Sequence, residues 1–166
     1  MCLNLARYTL ESIFLAALRS EVDSQEVYTT LANRVKNAVL KDRLKFLASE
    51  EEKHRLFLAN AYKGNFPGKE LVIPGKSSVP MPQVNVADES IHISEVLLAA
   101  MKAEKVASEF YMEFSKRFDK GTELRKTLEY LSMMEEGHYE ILSVERSNSL
   151  NFENYDEYWP MMHSGP

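Results

Sequence analysis

The sequence is short of the residues that staple, anchor or charge a chain, and each shortage removes a class of protein. Cysteine is nearly absent: Cys2 stands alone among 166 residues. An intrachain disulfide is impossible, and so is a zinc or iron–sulfur site built from several thiolates. The lack of disulfides fits a reducing cytoplasm, the expected location. Long apolar runs are missing as well, and the longest, around Val96–Met101, falls far short of the ~20 residues that cross a bilayer. Met1–Arg7 lacks a basic segment leading into an apolar one, so no secretory signal is expected. Positive charge is in deficit, with a formal net charge of −5. Neither a nucleic acid nor a membrane is therefore an expected partner. What remains is ordinary composition, 45 % hydrophobic and 27 % charged, enough for one domain over residues 1–166.

Helix-breaking residues gather in one place. Lys63–Val86 holds Gly64, Gly68 and Gly75 together with Pro67, Pro74, Pro80 and Pro82, which break helices or remove backbone donors. The spacing predicts a helical hairpin over 9–63, a crossover loop over 64–93, a second hairpin over 94–148 and a tail over 149–166. Thr9 is positioned to cap the first helix, which runs to about Asn33, with a turn near Lys36–Lys41. Ser94 is the expected cap of the third helix, Asp119-Lys120-Gly121 its break, and Thr122 the cap of the fourth. From Asn151 onward Phe152, Tyr155, Tyr158, Trp159 and Pro160 show no helical period, and this tail is expected to pack along the bundle or on a second copy. The fold class is all-α, an antiparallel four-helix bundle with a long crossover between helices 2 and 3.

The two hairpins repeat one another. A shift of 84 places Leu44, Leu47, Glu51, Glu52 and His54 over Leu128, Leu131, Glu135, Glu136 and His138, and a shift of 83 places Glu21 and Tyr28 over Glu104 and Tyr111. Repetition of whole hairpins argues for a two-fold bundle rather than a solenoid. At the 3.6-residue period the second helix reads Leu40, Leu44, Leu47, Glu51, His54, Leu58 and the fourth Leu124, Leu128, Leu131, Glu135, His138, Leu142. Glu104 interrupts the third stripe between Met101 and Tyr111, and Glu21 the first between Ala17 and Tyr28.

Burying unpaired carboxylates is expensive, and several together repel one another. Two divalent cations would balance four of them. Glu51 with His54, and Glu135 with His138, sit at i, i+3 and point from one helix face, so a carboxylate can bridge two ions while the imidazole holds one. A single Glu-x-x-His on a helix is most often a surface pair. Two such pairs on apolar stripes, aligned by a repeat and matched by one Glu on each partner helix, read as a metal site. If all four helices meet at one level, helices two and three run parallel. The crossover must then span the bundle, roughly 45 Å, which about 28 extended residues can do. Glu52 and Glu136 point away from the core, Met133 and Met134 read as packing, and His92 and His163 as surface or tail residues. Tyr28 and Tyr111 are either core aromatics with a hydrogen-bonded hydroxyl or donors to a bridging carboxylate.

The segments EVDSQEVYTTLA with Glu21 and Tyr28, ASEEEKH with Glu51 and His54, AEKVASEFY with Glu104 and Tyr111, and MMEEGH with Glu135 and His138 cover about residues 9–148. Together they resemble the rubrerythrin-type branch of the ferritin-like superfamily. The resemblance implies a ferritin-like bundle with two iron ions, manganese or zinc being the alternatives. It also implies peroxidase chemistry in which the ions meet hydrogen peroxide or dioxygen. Glu51 and Glu135 would bridge, Glu21 and Glu104 would be terminal, and His54 and His138 would each bind one ion. A homodimer is expected. Two departures stand out. Ala107 occupies a position where rubrerythrins commonly carry a further ligand Glu. The four cysteines of their rubredoxin domain have no counterpart, so electrons are expected from a separate donor protein. The six-residue set is also similar to that of bacterioferritins, but no short fifth helix and no haem methionine can be assigned. Iron oxidation and storage, or a metal-bound structural bundle without catalysis, are the rival functions.

Overall fold

Four helical runs, three of them opened by a side chain that can accept from a free backbone N–H, account for most of the chain. The computed structural model describes residues 4–158, the side chains of 154–158 excepted. A 3-10 turn at Leu5–Arg7 precedes α1 (Leu10–Arg34), α2 (Ala38–Asn65), α3 (Ile93–Ser115) and α4 (Glu123–Tyr158), and no strand occurs among the described residues. Thr9 Oγ1 accepts from the Ser12 N–H at 3.1 Å, and Asn37 Oδ1 from the Leu40 N–H at 3.0 Å. Each satisfies a donor that a helix N-terminus leaves free. Thr122 Oγ1 does the same for Arg125 at 3.4 Å. Gly121 precedes it at a φ of +89°, a conformation that a Cβ would disfavour, and turns the chain from α3 into α4.

Two helix ends differ from the sequence expectation. α3 starts at Ile93, with His92 in the cap position and no side-chain cap bond of its own. Ser94 lies inside the helix, where its N–H donates to Glu153 Oε1 at 3.1 Å and its hydroxyl to Glu153 Oε2. A carboxylate from α4 thus caps α3, and its charge also suits the helix dipole. The second difference is α4 itself, which continues to Tyr158 through the stretch expected to be an irregular tail. No glycine or proline stands between Gly137 and Pro160, so nothing stops the helix. The fading apolar period marks an exposed helical end, with Phe152 64 % exposed. The expectations for the side chains of Tyr155 and Tyr158, and for Cys2, Trp159, Met161, Met162 and His163, fall outside the described residues.

α1 packs on α2 and α3 on α4 as two hairpins. Their apolar stripes meet in two clusters. One holds Phe14, Leu58, Tyr62, Phe110, Phe114 and Leu128, with Phe14 edge-on to Phe114 at 4.9 Å; the other holds Leu31, Leu44, Leu97 and Leu142. α1 and α4 run from the first cluster to the second, and α2 and α3 run back, so α2 and α3 are parallel. The intervening chain travels the bundle's length. Leu71, Ile73 and Met81 pack on the first cluster, and Val84, Val86 and Ile91 on the second. No helix among the described residues is long and apolar enough to cross a membrane.

Glu153→Ala removes the α3 cap. It is expected to lower the thermal midpoint by about 2–4 °C, the equivalent of about 1 kcal/mol, without changing metal content. A circular dichroism melt indistinguishable from the parent's would show that the cap contributes nothing.

Candidate metal centre

Between the two apolar clusters every helix interrupts its stripe, and the interruptions meet. Glu21 comes from α1, Glu51 and His54 from α2, Glu104 from α3, and Glu135 and His138 from α4. None is more than 4 % exposed. They form two overlapping groups, Glu21–Glu51–His54–Glu135 and Glu51–Glu104–Glu135–His138. Within each group the possible donor atoms lie within 4.8 Å of one another. Glu51 and Glu135 belong to both. All six residues singled out in the sequence are therefore brought to one place.

The approximate two-fold of the sequence reappears in the distances. His54 Nδ1 lies 3.1 Å from Glu135 Oε1, 3.4 Å from Glu21 Oε2 and 3.5 Å from Glu51 Oε2. His138 Nδ1 lies 3.0 Å from Glu135 Oε2, 3.2 Å from Glu51 Oε1 and 4.0 Å from Glu104 Oε2. The two imidazoles face each other with ring centres 5.5 Å apart and planes 16° from parallel.

Charge makes this arrangement unstable by itself. Burial, then Glu135 and Glu21, raises the Glu51 carboxyl well above its ordinary range; burial, then Glu135 and Glu51, does the same to Glu104. Burial alone would depress His54, but Glu135, Glu21 and Glu51 outweigh it and hold the imidazolium, and Glu135 and Glu104 likewise raise His138. Glu135 moves the other way: burial pushes it up, and hydrogen bonds from His138 and His54 more than reverse that. Without bound metal, protons would carry the compensating charge. Even so, Glu21 Oε2, Glu51 Oε1, His54 Nδ1, Glu135 Oε1 and His138 Nε2 are buried without an aligned hydrogen-bond partner. Orphaned oxygens from Glu21, Glu51 and Glu135, with the Nδ1 atoms of His54 and His138 facing the same carboxylates, suit divalent metal, and the oxygen–nitrogen set accommodates iron, manganese or zinc.

The tyrosines act across the bundle. Tyr28 on α1 donates to Glu104 Oε1 on α3, and Tyr111 on α3 donates to Glu21 Oε1 on α1. Helical spacing alone had placed each tyrosine near the Glu of its own helix. Burial, and after it the neighbouring carboxylates, raises both phenols far above their ordinary value, so each keeps its proton. Glu52 turns outward to Arg55 at 2.6 Å, and Glu136 to Lys105 at 2.7 Å, as their helical angles predicted. Met133 is exposed rather than packed. Two serines went unremarked in the sequence: Ser132 donates to the Ser108 carbonyl at 2.9 Å, and Ser108 to Glu136 at 3.1 Å. They let α3 and α4 approach closely beside the centre. Their only sequence signal was the small, polar character of adjoining stripe positions.

Four long helices with a full-length crossover, enclosing carboxylates and imidazoles able to take metal, define a ferritin-like protein. The sequence profile of rubrerythrin matches residues 12–91 and 95–154, and the chain belongs to the rubrerythrin family, whose members typically bind two irons. No curated protein matches this chain. Among solved structures it is similar to a hypothetical protein from Pyrococcus furiosus. The two are 33 % identical with a TM-score of 0.81, over 90 % of this chain and 95 % of that one.

In the metal-free protein Glu51 and Glu104 hold protons more tightly folded than unfolded. Their contribution is complete below the ordinary 4.5 and is lost as pH rises toward their raised values. His54 and His138 add a loss of the same sign above 6.5. Glu135, depressed, works oppositely and only below 4.5. Chelated protein should therefore melt at progressively lower temperature from about pH 5 to about pH 8, and metal-loaded protein should not. A chelated protein whose midpoint climbs over that range would contradict the charge assignment. Tyr28→Phe and Tyr111→Phe should each weaken metal binding by roughly 10–100-fold, since each removes a bond that orients a ligand carboxylate; competition against a chromophoric chelator measures this.

Proposed function

We propose that the protein is a non-haem di-iron oxidoreductase that reduces hydrogen peroxide to water, taking its electrons from a separate donor protein. The observation that carries this reading is the sharing of Glu51 and Glu135 between two four-residue groups. Sharing keeps two ions close enough to act on one small molecule. In this reading Glu51 and Glu135 would be shared by two ions, Glu21 and Glu104 would each serve one, and His54 and His138 would hold one each. When bound, a pair of irons would supply the two electrons that cleavage of an oxygen–oxygen bond consumes. The chain's own part is electrostatic and geometric. Six nearly unexposed side chains exclude bulk water. Tyr28 and Tyr111 fix the terminal carboxylates and hold a proton at each phenolic oxygen. The overall reaction takes two electrons and two protons per peroxide and yields two waters. A cytoplasmic homodimer belongs to the same reading, and a many-subunit cage on a sizing column would favour iron storage instead.

Metal analysis of protein purified without added metal should find about two irons per chain. The fully reduced protein mixed with peroxide in a stopped-flow instrument should oxidise at least about tenfold faster than with dioxygen. Equal rates would remove the peroxidase assignment. Because Glu135 is common to both groups, Glu135→Ala should empty both ion positions, while Glu21→Ala or Glu104→Ala should leave about one ion. Similar losses from all three variants would mean the groups are not shared.

A further inference from the structure

A centre with ligands at most 4 % exposed needs a way in. The bundle's two-fold offers two equivalent flanks between α1 and α3, one beside each tyrosine. The repeat by 83 pairs their linings: Asp23 with Val106, Ser24 with Ala107, Val27 with Phe110. The two flanks are built differently. Beside Tyr111, Ala107 and Phe110 are buried, and the Phe110 ring closes edge-on against Tyr111 at 5.6 Å. Beside Tyr28 lies a cleft of about 180 Å³, with Ser20, Ser24, Ala100 and Ala103 on its walls and the crossover residues Met81, Pro82, Gln83 and Val84 over it. A neighbouring depression shares Asp23, Met81 and Gln83 with it. Tyr28 belongs to the cleft wall, and its hydroxyl donates to Glu104 of the centre.

The geometry points to this cleft as the route by which a small, neutral, hydrogen-bonding oxidant reaches the centre, past Tyr28, with the Tyr111 flank closed. Its identity as hydrogen peroxide rests on the function proposed above. The small side chains Ser20 and Ser24 on α1 and Ala100 and Ala103 on α3 leave the space, with Asp23 and Glu26 also on its lining. Ser20, Ser24 and Gln83 offer hydroxyl and amide partners to a molecule shedding its water, which lowers the cost of leaving solvent. A liquid water occupies roughly 30 Å³, so the cleft has room for several waters or for a molecule of the size of hydrogen peroxide. On the other flank the corresponding hydroxyl is a methyl group, Ala107, and the corresponding valine is Phe110.

Thiols at equivalent positions test the asymmetry. In a Cys2→Ser background, methyl methanethiosulfonate should modify Ser24→Cys at least about tenfold faster than Ala107→Cys, because a close-packed interior leaves the reagent no room. Once capped, the Ser24→Cys protein should keep its iron, yet the ferrous form should bind nitric oxide at least about tenfold more slowly than before capping, its entrance being filled. Ala103→Leu, which narrows the cleft without a reagent, should slow nitric oxide binding in the same direction. Equal thiol reactivity on the two flanks, or nitric oxide binding unaffected by both capping and Ala103→Leu, would overturn the route. Slowed nitric oxide binding in a protein inert to peroxide would instead keep the route and discard the peroxidase reading.

Discussion

Four carboxylates gathered at one depth of a helical bundle repel one another, and little else in this molecule makes sense apart from that repulsion. In water the cost is modest. Among aliphatic side chains it amounts to several kcal/mol per uncompensated charge. Among the described residues no lysine or arginine pairs with the cluster. Without bound metal, protons on Glu51, Glu104, His54 and His138 would carry the compensation, and Glu21 Oε2, Glu51 Oε1 and Glu135 Oε1 are buried without an aligned partner. Such a core is tolerable only as a receptacle for cations, with the apolar clusters above and below providing the stability that the centre does not.

That demand explains the topology. Bringing one carboxylate from each helix to the same level requires the second and third helices to run in the same direction, and the connection must then return along the whole bundle. A long irregular segment would ordinarily weaken a domain. Here it gives the first apolar cluster Leu71, Ile73 and Met81 and the second Val84, Val86 and Ile91. It also covers the flank between α1 and α3 with residues whose packing differs from a helix's. Where it crosses the centre it leaves space.

Periodicity made the ligands legible. A glutamate inside a stripe of leucines contradicts its surroundings, and the same contradiction recurring after 83 or 84 residues, on four helices, identifies Glu21, Glu51, Glu104 and Glu135 without coordinates. The fold was readable for the same reason, since the crossover's glycines and prolines leave four helices and one long connection. What periodicity does not encode is the partner across a gap. It placed Tyr28 on the face of Glu21, but the hydroxyl reaches Glu104 because the side chain spans the interface between hairpins. Ser94 looked like a cap by residue type, yet it is Glu153, 59 residues away, that accepts its protons. The extent of α4 was underestimated because its last turns bury little, and burial was the signal being read. The tyrosine and cap contacts join segments distant in sequence, which periodicity does not encode.

The crossed tyrosines and the shared glutamates mean that neither hairpin owns a complete ion position. Glu21, Glu51 and His54 need Glu135 from the other half, and Glu104, Glu135 and His138 need Glu51. Each half's phenol, moreover, grips the other half's acid. One hairpin alone is thus a fragment with a self-complementary face: two identical copies, related by an axis between the two four-residue groups, would satisfy the same tyrosine–glutamate bonds and complete the same two groups. The present chain has the form of two such hairpins joined end to end by the crossover.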